Sequence, residues 1–141
     1  MYLDSCILVK LLAPEPDSHM LEKALRGQPL VTSELATTEV ASALLARERA
    51  GGLKPRDRER AMQQLQEWIR TEEIVVAPLD GSVLRRATRL LEQCHPEVPL
   101  RTLDSIHLAT ADRLLEGPLC TTDRRLRDAA AHIGLEVFPP G

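Results

Sequence analysis

The segment MYLDSCILVKLL (residues 1–12) joins a short apolar strand to an almost wholly apolar helix through one acidic residue, Asp4. Residues 1–4 have the length and composition of a buried strand. Residues 5–13 lack the polar stripe of a surface helix, so we expect this helix to be buried on most of its sides. The segment therefore predicts a layered fold in which the strand and the helix both lie inside the molecule.

The same alternation of short apolar segments and helical periodicity continues to the end of the chain. Four further segments, residues 29–33, 74–77, 119–122 and 135–138, are predicted as strands because they are short and apolar. Strands that are separated by helices need crossover connections, which favour a parallel sheet. We therefore predict an α/β fold, a three-layer α/β/α sandwich with a central, mainly parallel sheet. The predicted helices are residues 5–13, 17–26, 34–50, 55–72, 82–94, 103–115 and 124–133.

Capping residues and apolar stripes refine the prediction for some of these helices. Ser33 has the residue type of an N-cap and is expected to begin the helix at residues 34–50. The helix at residues 17–26 is expected to place Met20, Leu21, Ala24 and Leu25 on one apolar face. An apolar stripe at helical spacing in the helix at residues 55–72 consists of Ala61, Met62, Leu65, Trp68 and Ile69.

Length and composition limit the classes of protein to which the chain can belong. A chain of 141 residues suits one ordinary domain, and we expect residues 1–141 to form a single domain. Hydrophobic residues make up 43% and charged residues 28%, which is typical of a globular protein. Aromatic residues make up only 2%, and the net charge is −3. Both values argue against a module that coats single-stranded nucleic acid by stacking its bases.

The cysteines and the lack of targeting patterns indicate a cytoplasmic protein. Cys6, Cys94 and Cys120 are odd in number and have no metal-ligand spacing, so we expect them to be reduced and buried. The amino-terminal segment lacks the basic region and the small-residue cleavage site of a signal peptide. Charged residues and prolines interrupt the longest apolar run, so no membrane span is expected.

Four carboxylates carry the strongest functional signal in the sequence. Asp4 and Asp123 follow predicted strands, whereas Glu39 lies about one turn into a helix. Asp104 lies at the start of another helix. Because parallel strands of an open sheet end at one edge, where ligands bind, we expect the acids to gather there. A cluster of carboxylates repels itself unless cations fill it, and Mg²⁺ prefers oxygen ligands, so the pattern predicts metal-assisted chemistry on a phosphate ester.

Each acid also has a purely structural explanation when it is considered alone. Asp4 and Asp123 are suited to capping the helices that they precede, and Glu39 resembles an ordinary exposed helical residue. Asp104 could equally cap its helix together with Thr102. However, Asp104 lies in line with an apolar stripe that faces the core, where an unpaired carboxylate is costly. The stripe consists of Leu108, Ala111 and Leu115.

The segments that contain these acids resemble those of the PIN-domain ribonucleases, and most closely those of the VapC toxins of toxin–antitoxin pairs. The resemblance covers nearly the whole chain in the expected order. It implies a central parallel sheet flanked by helices and an endoribonuclease activity that depends on Mg²⁺ or Mn²⁺. The matching segments are YLDSCILVKLL (residues 2–12), SELATTEVASALL (residues 33–45), LRTLDSIHLATA (residues 100–111) and LCTTDRRLRDAA (residues 119–130).

The resemblance implies that Asp4, Glu39, Asp104 and Asp123 belong to one catalytic site. Our hypothesis is that Asp4 and Asp104 are the primary metal ligands and that the other two acids complete the pocket directly or through water. Such a site would cleave the RNA backbone by in-line attack of a water molecule. One ion and two ions are both compatible with four acids.

Residues next to the acids add detail to the expected site. Ser5 and Thr121 match hydroxyl-bearing positions of the family, whereas Cys6 stands where its members often carry Ser, Asn or Ala. His107 lies one turn past Asp104 and is interpreted as a helix-interior residue that forms hydrogen bonds near the site, rather than as a general base or ligand. The other histidines are expected at the surface: His19, His95 and His132.

The resemblance also implies three partners, namely RNA, a VapB-like antitoxin and a second copy of the chain in a homodimer. The antitoxin would bury a hydrophobic segment in a groove. The apolar stripe from Ala61 to Ile69 could line that groove, although such a stripe is more often plain core. The candidates for binding RNA phosphates are Lys10, Arg101, Arg124 and Arg125, whereas Arg85, Arg86 and Arg89 are expected only to face solvent.

Two alternative functions are open at this point. The chain could be a non-catalytic regulatory or binding protein that has the PIN fold. It could also use the same acids as a DNA-directed nuclease or as a phosphatase. All four acids are present in the sequence, which argues against the non-catalytic alternative.

Overall fold

A five-stranded parallel sheet forms the centre of the computed structural model, which describes residues 1–114 and 117–141. Its strands are β1 (Tyr2–Leu3), β2 (Val31–Ser33), β3 (Val75–Ala77), β4 (Leu119–Cys120) and β5 (Val137–Phe138). The central strand β1 pairs with β2 on one side and with β4 on the other, and β3 and β5 form the edges. The chain therefore winds outward from β1 in both directions, so the strand order reverses between β1 and β4.

Helices cover both faces of this sheet, as the sequence predicted for a three-layer α/β/α sandwich. The helices of the described residues are α1 (Ser5–Leu12), α2 (Ser18–Leu25), α3 (Leu35–Arg49), α4 (Pro55–Arg70), α5 (Gly81–Cys94), α6 (Thr102–Leu114) and α7 (Arg124–His132). Helices α1 to α4 pack against one another on one face, and α5 to α7 pack on the other. Within the described ranges, none of them has both the length and the apolar character that a bilayer-spanning helix requires.

The two residues of β1 face opposite sides of the sheet and anchor two separate apolar cores. Leu3 and Cys120 belong to the core under α1 to α4. Tyr2 and Leu119 belong to the core under α5 to α7. Successive residues of a strand point to opposite faces of the sheet. Each of the two neighbouring strands β1 and β4 therefore contributes one side chain to each core.

The predicted strands and helices are all present, and each described end lies within two residues of its predicted position. The first strand is shorter than the predicted residues 1–4 because Asp4 leaves it to cap α1. The predicted helix at residues 103–115 runs from Thr102 to Leu114, and Leu115 lies outside the described residues. The sheet is parallel at every described pairing, which agrees with the crossover argument.

Two predictions about helix faces and ends are wrong. Ser33 is the last residue of β2 rather than the N-cap of α3, and Glu34 occupies the capping position. The Ser33 hydroxyl nevertheless accepts a hydrogen bond from the backbone N–H of Leu35, at 3.1 Å. Met20 is 76% exposed, because the face of α2 that packs against the core is formed by Leu21 and Leu25.

The apolar stripe of α4 is mostly core, as its spacing suggested. Ala61 and Leu65 are buried, and the rest of the stripe is partly buried against the same core. The cysteines follow the prediction less closely. Cys94 and Cys120 are free and buried, whereas Cys6 is free but only partly buried because it lies beside Asp4 at the end of the sheet.

Replacing Leu65 by alanine should lower the free energy of unfolding by about 2–5 kcal/mol, because the side chain is fully buried and a cavity would remain. Met20→Ala is the matched control, since Met20 is exposed, and it should change the free energy by less than about 0.5 kcal/mol. Urea unfolding followed by circular dichroism measures both. Equal effects of the two substitutions would contradict the assignment of α4 to the core.

Candidate active site

Two of the predicted acids lie at the point where the strand order reverses. Asp4 directly follows β1 and begins α1. Asp123 follows β4 after two intervening residues and begins α7. In open α/β sheets, ligands bind in the crevice outside the carboxyl ends of the strands, at this reversal. The fold therefore places both acids where this architecture binds ligands.

Asp4 is a buried carboxylate that is held by donors from two directions, and it is only 4% exposed. The backbone N–H of Ile7 donates to Oδ1 at 3.1 Å, which makes Asp4 the N-cap of α1. The Cys6 thiol donates to Oδ1 at 2.9 Å and lies 3.2 Å from Oδ2. The Thr121 hydroxyl donates to Oδ2 from the end of β4. The capping explanation of Asp4 is thus correct, and it leaves the carboxylate at the sheet edge.

Burial favours the protonated form of both Asp4 and its donor Cys6. Burial raises the pKa of Asp4 above its ordinary value, although the hydrogen bonds from Cys6, Thr121 and Ile7 oppose this effect. Burial and the nearby Asp4 charge raise the pKa of the Cys6 thiol to about 11. The thiol therefore keeps its proton at neutral pH and serves as a hydrogen-bond donor.

Thr121 connects the two acids at the reversal point. While its hydroxyl donates to Asp4, its oxygen accepts a hydrogen bond from the backbone N–H of Asp123, at 3.0 Å. Asp123 in turn caps α7, because its Oδ1 accepts from the backbone N–H of Leu126 at 2.9 Å. One fully buried hydroxyl thus fixes the start of α7 relative to Asp4.

Glu39 reaches the same region from α3 and is held by a hydroxyl and an imidazole. The Ser5 hydroxyl donates to Oε1 of Glu39 at 2.6 Å, and Nε2 of His107 contacts the same oxygen. Burial raises the pKa of Glu39, but the hydrogen bond and electrostatic attraction of His107, together with the hydrogen bond from Ser5, outweigh it and hold the pKa below its ordinary value. The interpretation of His107 as a helix-interior residue with hydrogen bonds near the site is confirmed.

Asp104 lies in the first turn of α6, and 16% of its side chain is exposed. Its Oδ2 lies 3.4 Å from Nε of Arg101, a long ion pair with a mostly exposed partner. Asp104 and Glu39 line the same cavity, which has a volume of about 600 Å³. Leu108, one turn further along the predicted stripe, is fully buried. Asp104 therefore sits where the core-facing side of α6 opens into a cavity.

The four acids form two pairs rather than one tight cluster. Thr121 bridges Asp4 and Asp123, and a shared cavity joins Glu39 and Asp104. Among the residues that the structure describes, no three histidine, cysteine or acidic side chains are gathered closely enough to enclose a metal ion. Mg²⁺ usually keeps several waters and binds through one or two carboxylates, so these oxygen donors still suit it.

Three of the predicted RNA-binding residues border the site. Arg101 lines the cavity of Glu39 and Asp104 and also an adjoining cavity of about 380 Å³. The residues of this second cavity include Asp123, Arg101, Arg124 and Arg125. Cationic side chains thus lie on the acidic side of the sheet despite the net negative charge of the chain.

Lys10, the fourth predicted RNA-binding residue, is already paired within the protein. Its Nζ lies 2.7 Å from Glu15 Oε2 and 2.9 Å from Asp17 Oδ2, and 17% of its side chain is exposed. The hydrogen bond that Lys10 donates to Glu15, together with those that it donates to Asp17, raises the pKa of Lys10 despite its partial burial. A phosphate would have to displace these carboxylates in order to bind Lys10.

The sequence did not reveal two donors of the site. The sequence predicts Cys6 only as a reduced, buried residue, yet its thiol donates to Asp4. Tyr2 was considered only as part of a strand, yet its hydroxyl lies 2.7 Å from Nδ1 of His107. A signal was available for Tyr2, because a buried tyrosine hydroxyl usually needs a hydrogen-bond partner.

The free energy of unfolding of the Asp4→Asn protein, relative to that of the unmodified protein, should fall as the pH falls from 7 towards 3.8. Since the pKa of folded Asp4 lies above that ordinary value, the folded state binds the proton more tightly than the unfolded state. The free energy of unfolding therefore falls as the pH rises through this window, and asparagine removes the effect. Urea unfolding across this pH range measures it.

Asp80→Asn is a control of opposite sign for this measurement. A hydrogen bond from the backbone of Val83 lowers the pKa of Asp80, the N-cap of α5. Its stabilising contribution is therefore present at neutral pH and lost as the pH falls, so Asp80→Asn should be less stable at pH 7. If the stability difference from the unmodified protein changed in the same direction for both variants as the pH fell, the account of Asp4 would be wrong.

Comparisons with known proteins agree with this architecture. The sequence pattern described as PIN domain matches residues 1–132. Ribonuclease VapC46 of Mycobacterium tuberculosis strain H37Rv is 40% identical over 145 residues, which cover 99% of this chain and 97% of that protein.

Two solved structures share the fold at low sequence identity. FitAcB from Neisseria gonorrhoeae has a TM-score of 0.67 at 17% sequence identity. The aligned region covers 99% of this chain and 96% of the FitAcB chain. A toxin–antitoxin complex from Klebsiella pneumoniae has a TM-score of 0.59 at 17% identity and covers 86% of this chain and 85% of its own. The chain thus belongs to the PIN-domain family and, within it, to the VapC type, as the sequence resemblance implied.

Proposed function

We propose that this protein is a metal-dependent endoribonuclease and the toxin of a VapBC-type toxin–antitoxin pair. The observation that carries the proposal is the 40% identity with Ribonuclease VapC46 along 99% of the chain. The placement of the acids at the carboxyl edge of the sheet supports it, because this edge is where the fold binds ligands. An enzyme that acts on RNA with an intracellular antitoxin would work in the cytoplasm.

The four acids supply the oxygen donors that a Mg²⁺ ion, or Mn²⁺ in its place, prefers. No hydrogen bond from the described residues reaches Oε2 of Glu39, which leaves this oxygen available in the cavity that Asp104 also lines. Asp4 and Asp123 would complete the site from the reversal point. Bound there, the ion would polarise a phosphoryl oxygen and lower the pKa of a water molecule.

The residues of the chain would contribute positioning to this chemistry. Asp4 is fixed by a helix cap and by Thr121, and Glu39 is fixed by Ser5. Groups that are already oriented need little reorganisation during the reaction, which lowers the barrier. Arg101 and its neighbours in the second cavity would bind phosphates that flank the scissile bond.

An antitoxin partner is proposed for a groove at the amino ends of the strands, on the side of the sheet opposite to the acids. This groove has a volume of about 890 Å³ and lies at the amino ends of β2 and β3. Its apolar lining includes Leu11 of α1, Leu25 of α2, Trp68 of α4 and Leu30, which directly precedes β2. The solved structure of a toxin–antitoxin complex with the same fold supports such a partner. Homodimerisation remains a prediction from the resemblance.

Purified protein should cleave a panel of labelled RNAs with Mg²⁺ or Mn²⁺ and not with EDTA. Asp104→Asn should lower the cleavage rate about a hundredfold or more, because it removes a charged oxygen ligand from the cavity. The matched control is Asp112→Asn on the same helix, where the carboxylate only pairs with Arg86 at 2.8 Å. The control should retain the rate of the unmodified protein.

Three results would count against this proposal. Equal rates for Asp104→Asn and the unmodified protein would remove Asp104 from the site. Cleavage of DNA but not of RNA would favour a DNA-directed nuclease. A folded protein, free of antitoxin, that cuts neither nucleic acid with any metal would favour the non-catalytic alternative.

Arg124→Ala should weaken RNA binding and reduce the slope of log affinity against log salt by roughly 0.7, the value for one lost phosphate contact on a single strand. Arg124 is exposed and lines the cavity that contains Asp123. Arg89→Ala on α5 is the control, because Arg89 is exposed and borders neither of the two site cavities. Binding is measured in EDTA so that no RNA is cut, and an unchanged slope for Arg124→Ala would exclude the contact.

A further inference from the structure

His107 is a buried histidine whose two ring nitrogens both have partners. It is 3% exposed, although it lies only one turn after Asp104. The hydroxyl of Tyr2, itself 2% exposed, lies 2.7 Å from Nδ1. On the opposite side of the ring, Nε2 contacts Oε1 of Glu39 and lies 3.3 Å from the Ser5 hydroxyl. The imidazole thus connects the central strand with the acid of α3.

The partners determine where the hydrogen of the imidazole lies. Oε1 of Glu39 belongs to a carboxylate, which can only accept, so Nε2 of His107 carries the hydrogen. In the neutral imidazole, Nδ1 is then the acceptor, and the Tyr2 hydroxyl donates to it. In this neutral form the hydrogen bonds run from Tyr2 to His107 to Glu39, and the tyrosine favours the tautomer that can hold the carboxylate.

The packing of Tyr2 against the imidazole fixes the ring as well as its hydrogen. The two rings meet edge to face, with centroids 5.9 Å apart and an interplanar angle of 65°. Tyr2 cannot move easily, because it belongs to the central strand and to the core under α5 to α7. The orientation of His107 is thus set by the most enclosed part of the fold.

Both donors to Glu39 converge on a single oxygen. Ser5 donates to Oε1 at 2.6 Å, and His107 contacts the same atom. The second oxygen, Oε2, accepts no hydrogen bond from the described residues, and Glu39 borders the cavity that Asp104 also lines. The contacts therefore immobilise one oxygen of the carboxylate, while the other one accepts no hydrogen bond from the described residues.

We propose that Tyr2 and His107 are positioning residues for Glu39, which hold its Oε1 so that Oε2 is presented to a divalent cation in the cavity shared with Asp104. The inference rests on the proposed function for the identity of the reaction. The geometric part is that Tyr2 sets the tautomer of His107 and thereby the orientation of the Glu39 carboxylate. It concerns the affinity for a divalent cation, which can be measured without RNA.

Tyr2→Phe is the most direct test, because it keeps the ring and its packing and removes only the hydroxyl. Without that donor, His107 can adopt the tautomer with its hydrogen on Nδ1, which turns a lone pair towards Glu39. We expect Mn²⁺ affinity to fall roughly tenfold and kcat for RNA to fall to a similar extent, with KM for RNA unchanged. Thr32→Val is the matched control, since it removes another buried hydroxyl, one that donates to the backbone of Leu3 at 2.8 Å.

Two further variants separate positioning from a general loss of stability. In His107→Gln the amide nitrogen can take the place of Nε2 and still donate to Glu39, so Mn²⁺ affinity should be largely restored relative to His107→Leu. In a Glu39→Gln background, Tyr2→Phe should have no additional effect on Mn²⁺ affinity, because it acts through Glu39. Additive effects of the two substitutions would overturn the proposal.

Nitrogen-15 NMR of the imidazole gives a readout that does not depend on catalysis. The unmodified protein should show a His107 ring with its hydrogen on Nε2, and Tyr2→Phe should show a mixture of tautomers. The proposal is overturned if Tyr2→Phe leaves tautomer and Mn²⁺ affinity unchanged, or if Thr32→Val weakens Mn²⁺ binding equally. If the unmodified protein cuts no RNA while the tautomer and Mn²⁺ results hold, the nuclease assignment fails and the positioning role stands.

Discussion

The buried carboxylate of Asp4 is the interaction on which the rest of the site depends. A charge that is 4% exposed is costly unless donors surround it. The donors come from Ile7 and Cys6 in the first turn of α1 and from Thr121 after β4. Satisfying this one charge therefore fixes β1, α1 and the end of β4 relative to one another, at the place where the sheet changes direction.

Apolar packing and hydrogen bonding have different tasks in this molecule. The two apolar cores hold the three layers together, but apolar contacts are not directional and tolerate small shifts. Hydrogen bonds have narrow distance and angle requirements, and they set the final geometry. Ser5 ties α1 to Glu39 on α3, and Thr121 ties Asp4 to the start of α7. Polar side chains thus align helices that the cores only bring near each other.

Much of this arrangement could be predicted from the sequence, because it follows from local patterns. Alternating strands and helices imply the parallel sheet, and an acid between a strand and a helix implies a place at its carboxyl edge. Contacts between distant segments leave no such pattern. The hydrogen bond between Tyr2 and His107 joins residues 105 positions apart, and nothing in the periodicity of either segment specifies it. The exposed Met20 is a second case in which the sequence is not sufficient. An apolar residue type does not by itself show which face of a short helix packs against the core.

Helix α1 begins in the acidic site and ends in the wall of the opposite groove. Ser5, its first residue, contacts Glu39, and Leu11 lines the groove at the amino ends of the strands. Six residues of helix separate the two, an axial distance of about 9 Å. One continuous helix thus has residues both in the acidic site and in the wall of the groove. Because one hydrogen-bonded element spans both places, a substitution that breaks α1 would disturb the acidic site and the groove together.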